Sequence, residues 1–392
     1  MKLQDIIGSK KRSHRGPRQP RLKQRSLHRV NLDESEARIQ HIEDLILWSG
    51  SDGAKTALAK LRQLESNPQS ATVKWDGSPA VIFGRNENGE FVLTDKSGFG
   101  AKTYNGRVTS ADDLAKMFMS RKTEPGKEQD KKDFVTRMAN VWNTFEAATP
   151  ANFRGYVHGD LLYFTTPQVK DNRLIFQPNT TMYSVDPKSD IGKQIASSTA
   201  GVVLHKFIDL NNTVSNVDAS VFSSGDLLVM PPQTVTTSPE LDVPELDRLD
   251  SFVSQKANTI NQFLAVPDEL KMKDFSKQLY NYINAKTKAG TLNNLGEDFD
   301  KWVDEANGIS VGKKARMIKW TADNAEGASA LWGFQKAVMS LKNKIINELD
   351  NHPADIEAYT GGKRGGEGYV IDKDVKLVNR DGFSNVNMTR ER

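Results

Sequence analysis

The stretch SATVKWDGSPAVIFG, residues 70–84, contains two apolar β-type runs on either side of a polar segment. The runs at 71–73 and 80–83 predict two strands, and the Asp-Gly-Ser-Pro sequence predicts the turn between them. Lys74 then lies at the end of a buried strand. A lysine at such a position is usually a partly exposed ion pair, so a chemical role for Lys74 requires suitable partners elsewhere in the chain.

Length and composition restrict the class of protein. The 392 residues suggest two domains, or one domain with a large insertion. A hydrophobic content of 37% is enough for a core, and no apolar run approaches the roughly 18 residues of a membrane span. The N-terminus lacks the apolar segment of a secretory signal. We therefore expect a soluble, cytoplasmic protein with no membrane association.

Cysteine and histidine usage restricts the kind of metal site. The chain contains no cysteine, which excludes disulfides and thiolate metal sites and fits a reducing compartment. The six histidines show no metal-ligand spacing. A bound metal would therefore depend on acidic residues.

The N-terminal segment is strongly basic. Residues 1–30 contain ten Lys or Arg residues and one acidic residue, Asp5, in a chain whose net charge is +4. Such a segment has too little apolar content to fold alone. We predict a disordered basic arm that neutralises the phosphates of a nucleic acid, and the alternative is a solubilising tail.

The first half of the chain has a helical start and a β-rich continuation. Helical spacing occurs at 34–48 and 54–64. The β-rich part runs from 72 to about 230, and helical patterns interrupt it at 111–119 and 133–147. This mixture predicts an α+β domain.

The sequence predicts a helical insertion between this domain and its last strands. A Pro-rich break at 231–244 leads into helix-patterned residues 248–349, and strand patterns return at 367–378. These changes predict four segments: a basic arm at 1–30, the first part of the domain at 31–235, a helical insertion at 236–355 and the last strands at 356–392.

Two later segments supply acidic groups of the kind that a reactive lysine needs. His158-Gly159-Asp160 lies in a β-type run at 155–164, and Glu367-Gly368 leads into another apolar strand. Lys376 follows Glu367 by nine positions. A lysine amine attacks phosphorus only when it is deprotonated, so we expect burial or nearby cations to lower the pKa of Lys74. Acidic groups would hold the metal that neutralises a triphosphate.

The order of these segments resembles the covalent nucleotidyltransferase superfamily, which includes ATP-dependent DNA and RNA ligases and mRNA capping enzymes. Lys74-Trp75-Asp76-Gly77 matches the K-x-D-G motif of that family, and His158-Gly159-Asp160 is similar to its h-G-E motif. Glu367-Gly368-Tyr369-Val370-Ile371 matches E-G-x-V-I, and Lys376 lies in VKLV, which looks like the final lysine motif. The likeness covers residues 72–378, with the helical insertion unmatched.

The resemblance implies a role for each matched residue. Lys74 would carry the nucleotide of ATP through a phosphoamide bond, and Glu367 and Asp160 would hold Mg²⁺ or Mn²⁺. Tyr183 falls where the family has an aromatic residue that stacks on the base, and Lys96 lies in DKSGFG, which is similar to a stretch of RNA ligases. The residues implied to contact the nucleotide are Asp76, Gly77, Lys96, Asp160, Tyr183 and Lys376.

The implied fold is an ATP-grasp-like adenylation domain of antiparallel sheets with flanking helices and a large helical insertion. The chain ends shortly after Val378, so we expect no C-terminal OB domain and an architecture like that of RNA ligases. Pro79 stands where many members have an arginine, and Arg85 lies roughly 20 Å further along an extended strand, too far to replace it. Asp160 is one methylene shorter than the glutamate of the family.

Two functions follow from these observations. The first is an ATP-dependent polynucleotide ligase that seals RNA or DNA ends through a lysyl-AMP intermediate. The second is a catalytically degenerate ligase-fold protein that binds nucleic acid or forms part of a virion. The cysteine-free sequence with its helical insertion also resembles proteins of large tailed phages. A phage protein of this kind would be found in the cytoplasm of the host cell. The sequence leaves open the choice between RNA and DNA, the role of the insertion and the oligomeric state.

Overall fold

The computed structural model describes residues 39–100, 106–222, 225–352 and 355–389 of the chain. Within these ranges the protein is a mixed α+β structure, as the sequence predicts. The predicted basic arm at 1–30 lies outside the described residues. None of the helices in these ranges combines the length and the apolar character that a membrane span needs.

Along the chain, α-helices precede the β-rich part, interrupt it and separate it from the last strands. The prediction at 111–119 is confirmed, because a helix begins after Ser110, whose side chain accepts a hydrogen bond from Asp113 N–H. The helices are α1 (Leu45–Ser66), α2 (Lys96–Phe99), α3 (Ala111–Met119), α4 (Glu128–Asn140), α5 (Trp142–Ala148), α6 (Asp190–Ser197), α7 (Val243–Leu264), α8 (Phe275–Ala289), α9 (Phe299–Glu305), α10 (Val311–Asp323), α11 (Ala325–Asn351) and α12 (Asn385–Thr389).

The strands lie in the β-rich part predicted from 72 to about 230 and in the predicted last strands at 356–392, except the first strand, which lies within the predicted helix at 34–48. They are β1 (Gln40–His41), β2 (Ala71–Lys74), β3 (Ala80–Arg85), β4 (Phe91–Asp95), β5 (Gly155–Tyr163), β6 (Gln168–Lys170), β7 (Arg173–Phe176), β8 (Thr181–Val185), β9 (Ala200–Ile208), β10 (Val214–Ser215), β11 (Leu227–Met230), β12 (Ile356–Thr360), β13 (Lys363–Arg364), β14 (Gly368–Ile371) and β15 (Val375–Leu377).

The described strands form three sheets. Sheet 1 has the order β1-β15-β14-β2, and sheet 2 has the order β10-β9-β5-β3-β4 with β11 beside β9. Sheet 3 has the order β13-β12-β8-β7-β6. The pairs β1–β15 and β9–β11 are parallel, and the other pairs are antiparallel, in agreement with the predicted antiparallel character.

Residues 70–84 cross from one sheet to another. The two strands lie where the sequence predicts, but they do not pair with each other: β2 pairs with β14 in sheet 1, and β3 pairs with β4 and β5 in sheet 2. The intervening loop is attached to β5, because Ser78 N–H donates to the carbonyl of Leu161 at 2.9 Å. Lys74 therefore lies at the junction of the two sheets.

Of the predicted helix at 34–48, residues 34–38 lie outside the described residues, and the prediction for the rest is only partly correct. Gln40–His41 form β1 at the edge of sheet 1, a single 3₁₀ turn follows, and α1 begins at Leu45. Pairing with β15 favours an extended conformation here over the helical spacing of the sequence. α1 includes the predicted helix at 54–64, although Gly50 interrupts it with a φ of 57°.

The helices α7–α11, here called the helical block, share a core with sheet 1. One apolar cluster contains Leu58 of α1, Val253 of α7, Phe334 of α11 and Ile371 of β14, each 0% exposed. The helical block therefore packs directly against the face of sheet 1 that carries Ile371. The division of the chain into domains stays a prediction.

Candidate functional site

Lys74 forms a close ion pair with Glu367. β2 and β14 are antiparallel neighbours, and Lys74 lies directly opposite Gly368. Lys74 Nζ is 2.6 Å from Glu367 Oε1, and the two side chains are 28% and 15% exposed. A glycine is required at 368 because a Cβ there would lie 2.0 Å from the carbonyl oxygen of Leu377. Strand pairing thus joins two residues from distant parts of the chain.

The expectation of a lowered pKa for Lys74 is wrong for this arrangement. Burial disfavours the charged amine, but attraction to Glu367, with smaller contributions from Asp160 and Asp76, outweighs burial and raises the pKa of Lys74. Burial also raises the pKa of Glu367, against the opposing effect of Lys74. Lys74 is held as a cation, and it must lose its proton before it can act as a nucleophile.

The loop at 75–79 is held against β5 next to Asp160. Besides the bond from Ser78, Leu161 N–H donates to the carbonyl of Pro79 at 3.1 Å. A Cβ on Gly77 would lie 2.5 Å from Asp160 Cβ and 2.9 Å from the carbonyl oxygen of Leu161. Gly77 therefore allows close packing of the loop on β5, and its implied contact with a nucleotide stays a prediction.

Asp160 is oriented by a histidine that the sequence analysis did not identify. Asp160 Oδ2 is 2.9 Å from Nε2 of His205 on β9. Burial opposes the charge of Asp160, but the hydrogen bond and charge of His205, together with Lys74, lower the pKa of Asp160 overall. His205 lies in an ordinary β-type run of the sequence, and only the pairing of β9 with β5 identifies it as a partner.

Asp76 has a structural role in this arrangement. Its Oδ1 accepts a hydrogen bond from Asn179 Nδ2 at 2.7 Å. Its Oδ2 accepts from the backbone N–H groups of Thr180 and Thr181, at 2.7 and 2.6 Å. These bonds fasten the loop after Lys74 to the start of β8, and the implied contact of Asp76 with a nucleotide stays a prediction.

Tyr183 belongs to the same anchor and is largely buried. The hydroxyl accepts a hydrogen bond from Asp76 N–H at 2.7 Å. The ring centroid lies 4.8 Å from that of Trp75 and 5.3 Å from that of Phe176. These contacts give Tyr183 a structural role, and its implied stacking on a base stays a prediction.

Lys376 lies on the same face of sheet 1 as Lys74. Val370 is opposite both Thr72 and Lys376, and side chains at paired positions and at alternate positions share one face. Within the described residues the side chain of Lys376 makes no hydrogen bond or ion pair. Burial, followed by the charges of Lys74 and Arg380, lowers the pKa of Lys376 to about 8. This face thus carries one paired and one unpaired cation.

Two further basic residues have other surroundings. Lys96 begins α2, and its charge contributes, after burial, to lowering the pKa of His158 to about 4. Its implied contact with the nucleotide stays a prediction. Arg85 donates to the carbonyls of Gly89, Thr149 and Pro150 at 3.0–3.1 Å, so it does not replace the arginine that Pro79 displaces.

Glu367 and Asp160 are suitable as a partial set of ligands for Mg²⁺. The described residues contain no group of three or more His, Cys, Asp or Glu residues arranged to hold a metal. Mg²⁺ is commonly bound through one or two carboxylates plus substrate phosphates and water. Glu367 Oε2 and Asp160 Oδ1 accept no hydrogen bond within the described residues, so each carboxylate has an available oxygen. The donor set therefore fits this cation.

A cavity of about 660 Å³ borders Lys74. Its lining includes Trp75, Tyr183, Asp350 and Tyr369, whereas Asp160, Glu367 and Lys376 are not among its described lining residues. The volume is within the range of small-molecule sites. The cavity reaches the lysine, but the charged groups around Lys74 lie outside it.

The chain belongs to a family of unknown function, DUF6267, whose model matches residues 36–392. No curated protein and no solved structure matches the chain. The family therefore supplies no activity, and a functional conclusion has to come from the site itself.

Proposed function

We propose that the protein is an ATP-dependent polynucleotide ligase with an ATP-grasp-like adenylation domain. The observation that carries the proposal is the assembly of Lys74, Glu367 and Lys376 at one face of sheet 1. The pairings β2–β14 and β14–β15 bring these residues together from distant positions, and Asp160 is close enough to influence the pKa of Lys74. They are the residues whose motifs resemble those of nucleotidyltransferases.

In the first step the amine of Lys74 attacks the α-phosphorus of ATP. A nitrogen–phosphorus bond forms, the bond from the α-phosphorus to the bridging oxygen breaks, and pyrophosphate leaves. Lys74 must first give up a proton to solvent, and Glu367, 2.6 Å away, would no longer hold that proton once its carboxylate binds a metal ion. Lys376 offsets the negative charge that develops on the α-phosphate. Mg²⁺ or Mn²⁺, held by Glu367 and Asp160, would neutralise the triphosphate.

In the later steps AMP passes from Lys74 to a nucleic-acid end. An oxygen of the 5′-phosphate attacks the phosphorus of AMP, and the bond to Lys74 breaks. A 3′-hydroxyl then attacks the activated 5′-phosphorus, a phosphodiester forms and AMP leaves. The basic segment at 1–30 supports a nucleic-acid partner, because its lysines and arginines can neutralise backbone phosphates.

A sealing assay tests this proposal. The full chain is incubated with ATP, Mg²⁺ and a panel of nicked and single-stranded RNA and DNA. We expect one class of 5′-phosphorylated end to be sealed by the wild type and by neither Lys74→Ala nor Glu367→Ala. The same substrates with 5′-hydroxyl ends are the matched control, because they cannot accept AMP. Failure to seal any substrate, with no pyrophosphate released from ATP, would contradict the proposal.

A second candidate is a catalytically degenerate protein that binds nucleic acid or contributes to a virion. The observation that favours it is the ion pair with Glu367, which raises the pKa of Lys74 and opposes nucleophilic attack. The proline at position 79, where many ligases have an arginine, points the same way. Nucleic-acid binding that persists in the absence of any reaction with ATP is the outcome that selects this candidate.

A further inference from the structure

The strand that carries His205 contains an irregularity at that residue. β5 and β9 are antiparallel, with His158 opposite Lys206 and Gly159 opposite Leu204. His205 therefore has no partner in β5 and is the extra residue of a β-bulge. Gly159, on the other strand, allows a close approach of β9, because a Cβ there would lie 2.4 Å from the carbonyl oxygen of Val203.

The bulge lies beside Asp160, which is opposite Val203 in β9. His205 Nε2 is 2.9 Å from Asp160 Oδ2. Bulges beside functional sites commonly redirect one side chain in this way. The irregularity thus has a specific result, a histidine placed on the carboxylate next to Lys74.

The surroundings of the pair leave one oxygen for a ligand. The side chains of His205 and Asp160 are 29% and 19% exposed, so the contact is accessible at its edge. The ring of His158 packs edge-on against that of His205, with centroids 5.8 Å apart, and limits its rotation. Asp160 Oδ1 accepts no hydrogen bond within the described residues.

We propose that His205 is a positioning residue that binds Oδ2 of Asp160 and thereby directs Oδ1 toward the Mg²⁺ that accompanies ATP. The hydrogen bond fixes the rotation of a carboxylate that is one methylene shorter than the glutamate found in related motifs. The inference rests on the proposed function, since it assigns the contact of Asp160 to the metal-bound nucleotide of that same site. His205 acts through Asp160 and does not itself touch the reacting atoms.

Binding and kinetic measurements on the same variants test this role. In the presence of Mg²⁺, ATP binding is measured by titration calorimetry with full-length Lys74→Ala, which cannot form a covalent adduct, and with His205→Ala or His205→Gln added to it. The rate of adduct formation is measured against ATP concentration for the two His205 variants in the otherwise unchanged chain. Lys206→Ala is the matched control, because Lys206 is the next residue of β9 and pairs with His158.

We expect His205→Ala to weaken ATP binding and raise KM for ATP by about 10–100-fold, with a smaller change in kcat, as for other residues that orient a ligand-binding group. His205→Gln should recover most of the affinity, because its amide N–H can replace the donor, and Lys206→Ala should stay within about twofold of the parent protein. ATP binding that depends on His205 in a protein that forms no adduct would support the positioning role while contradicting the ligase function. Unchanged binding and KM in His205→Ala, or equal losses in His205→Ala and His205→Gln, would overturn the inference, and so would a wild type that does not bind ATP.

Discussion

Two clusters of charged side chains lie along sheet 1, and they differ in exposure and in pairing. The sealed cluster contains Glu43, Asp44, Lys342 and Arg380, whose side chains are at most 1% exposed. The open cluster contains Lys74, Asp160, Glu367 and Lys376, where the Lys74 side chain is 28% exposed. The clusters are neighbours, because Arg380 and Asp44 both influence the pKa of Lys376.

The sealed cluster is balanced in charge, and each of its four members has an ion-pair partner within it. Lys342 Nζ and Arg380 Nε bind Oε1 of Glu43 at 2.6 and 2.7 Å, and Arg380 also binds Asp44. Arg380 further donates to Asn284 of α8 at 3.1 Å. Two carboxylates meet two cations, and the contacts connect the helical block to the segments that flank β1 and β15. This cluster holds the fold together at the edge of sheet 1.

The open cluster, by contrast, contains a cation without a partner. Lys376 is partly buried with no ion pair in the described part of the chain, and burial with nearby cations lowers its pKa to about 8. A buried charge that lowers the stability of the folded protein and lies beside other titratable groups is typical of functional sites. The comparison therefore assigns structure to the sealed cluster and chemistry to the open one.

The largest effect on stability is expected from breaking the sealed cluster. Lys342→Met removes one cation and leaves Glu43 and Asp44 with Arg380 alone, in a site with no access to water. Removing one partner of a buried ion pair is expected to lower the free energy of unfolding by about 3–5 kcal/mol. Urea denaturation followed by circular dichroism measures the change.

The matched control for that variant is an exposed lysine pair. Lys319→Met removes the bond to Asp323 on the surface of α10, where the two side chains are 75% and 53% exposed. We expect a change below about 0.5 kcal/mol, because exposed i,i+4 pairs contribute little. Similar losses in the two variants would show that the sealed cluster has no special structural role.

Removing the charge of Lys376 should raise the free energy of unfolding instead of lowering it. Lys376→Met is expected to raise the free energy of unfolding at pH 7 by up to about 3 kcal/mol, since one pKa unit corresponds to about 1.4 kcal/mol. The same variant should lose adduct formation with ATP. A stable but inactive protein would separate the role of Lys376 from that of Lys342, and a destabilised one would contradict the assignment.

The pH dependence of this gain follows from the lowered pKa. Below pH 8 Lys376 is protonated in both folded and unfolded chains, so the full penalty of its buried charge is present. Between pH 8 and about 10.5 the folded protein releases this proton while the unfolded chain retains it, and stability from this group rises with pH. The gain from Lys376→Met should therefore be greatest below pH 8 and shrink above it, which denaturation at pH 7 and pH 9.5 can measure.

A smaller effect is expected from the loop that joins the open cluster to β5. Gly77→Ala places a Cβ 2.5 Å from Asp160 Cβ and should lower the free energy of unfolding by about 1–3 kcal/mol, with loss of adduct formation. Gly333→Ala is the control, because Gly333 is exposed within α11 and has no atom within 4 Å of a Cβ. That substitution should stabilise the protein by about 0.5–1 kcal/mol. Equal effects of the two substitutions would contradict the close packing at Gly77.

Local patterns of the sequence predict those elements that depend on local residues. The strands around Lys74, the helix Ala111–Met119 and the strand Gly155–Tyr163 follow from alternation or helical spacing. Such elements are predictable since neighbouring residues are sufficient to define them. The pairing of Lys74 with Glu367 is different, because only the order of the motifs in the resemblance suggested it.

Features that depend on pairing between distant strands could not be predicted in the same way. The bulge at His205 is visible only in the register of β5 with β9, and β1 forms only because β15 offers it an edge. The raised pKa of Lys74 depends on three carboxylates whose distances the sequence does not contain. Tyr183 is buried because its hydroxyl binds the loop after Lys74, a contact between two sheets.

The mass of the intact protein after incubation with ATP and Mg²⁺ is the most direct test of the proposal that Lys74 carries AMP. We expect an increase of one AMP in the wild type, located at Lys74 by peptide mapping and removed by acid. Lys74→Arg, which keeps the positive charge, should remain unmodified, and Lys319→Met should be modified like the wild type. A wild type that remains unmodified, or an AMP increment that persists in Lys74→Arg, would contradict this account.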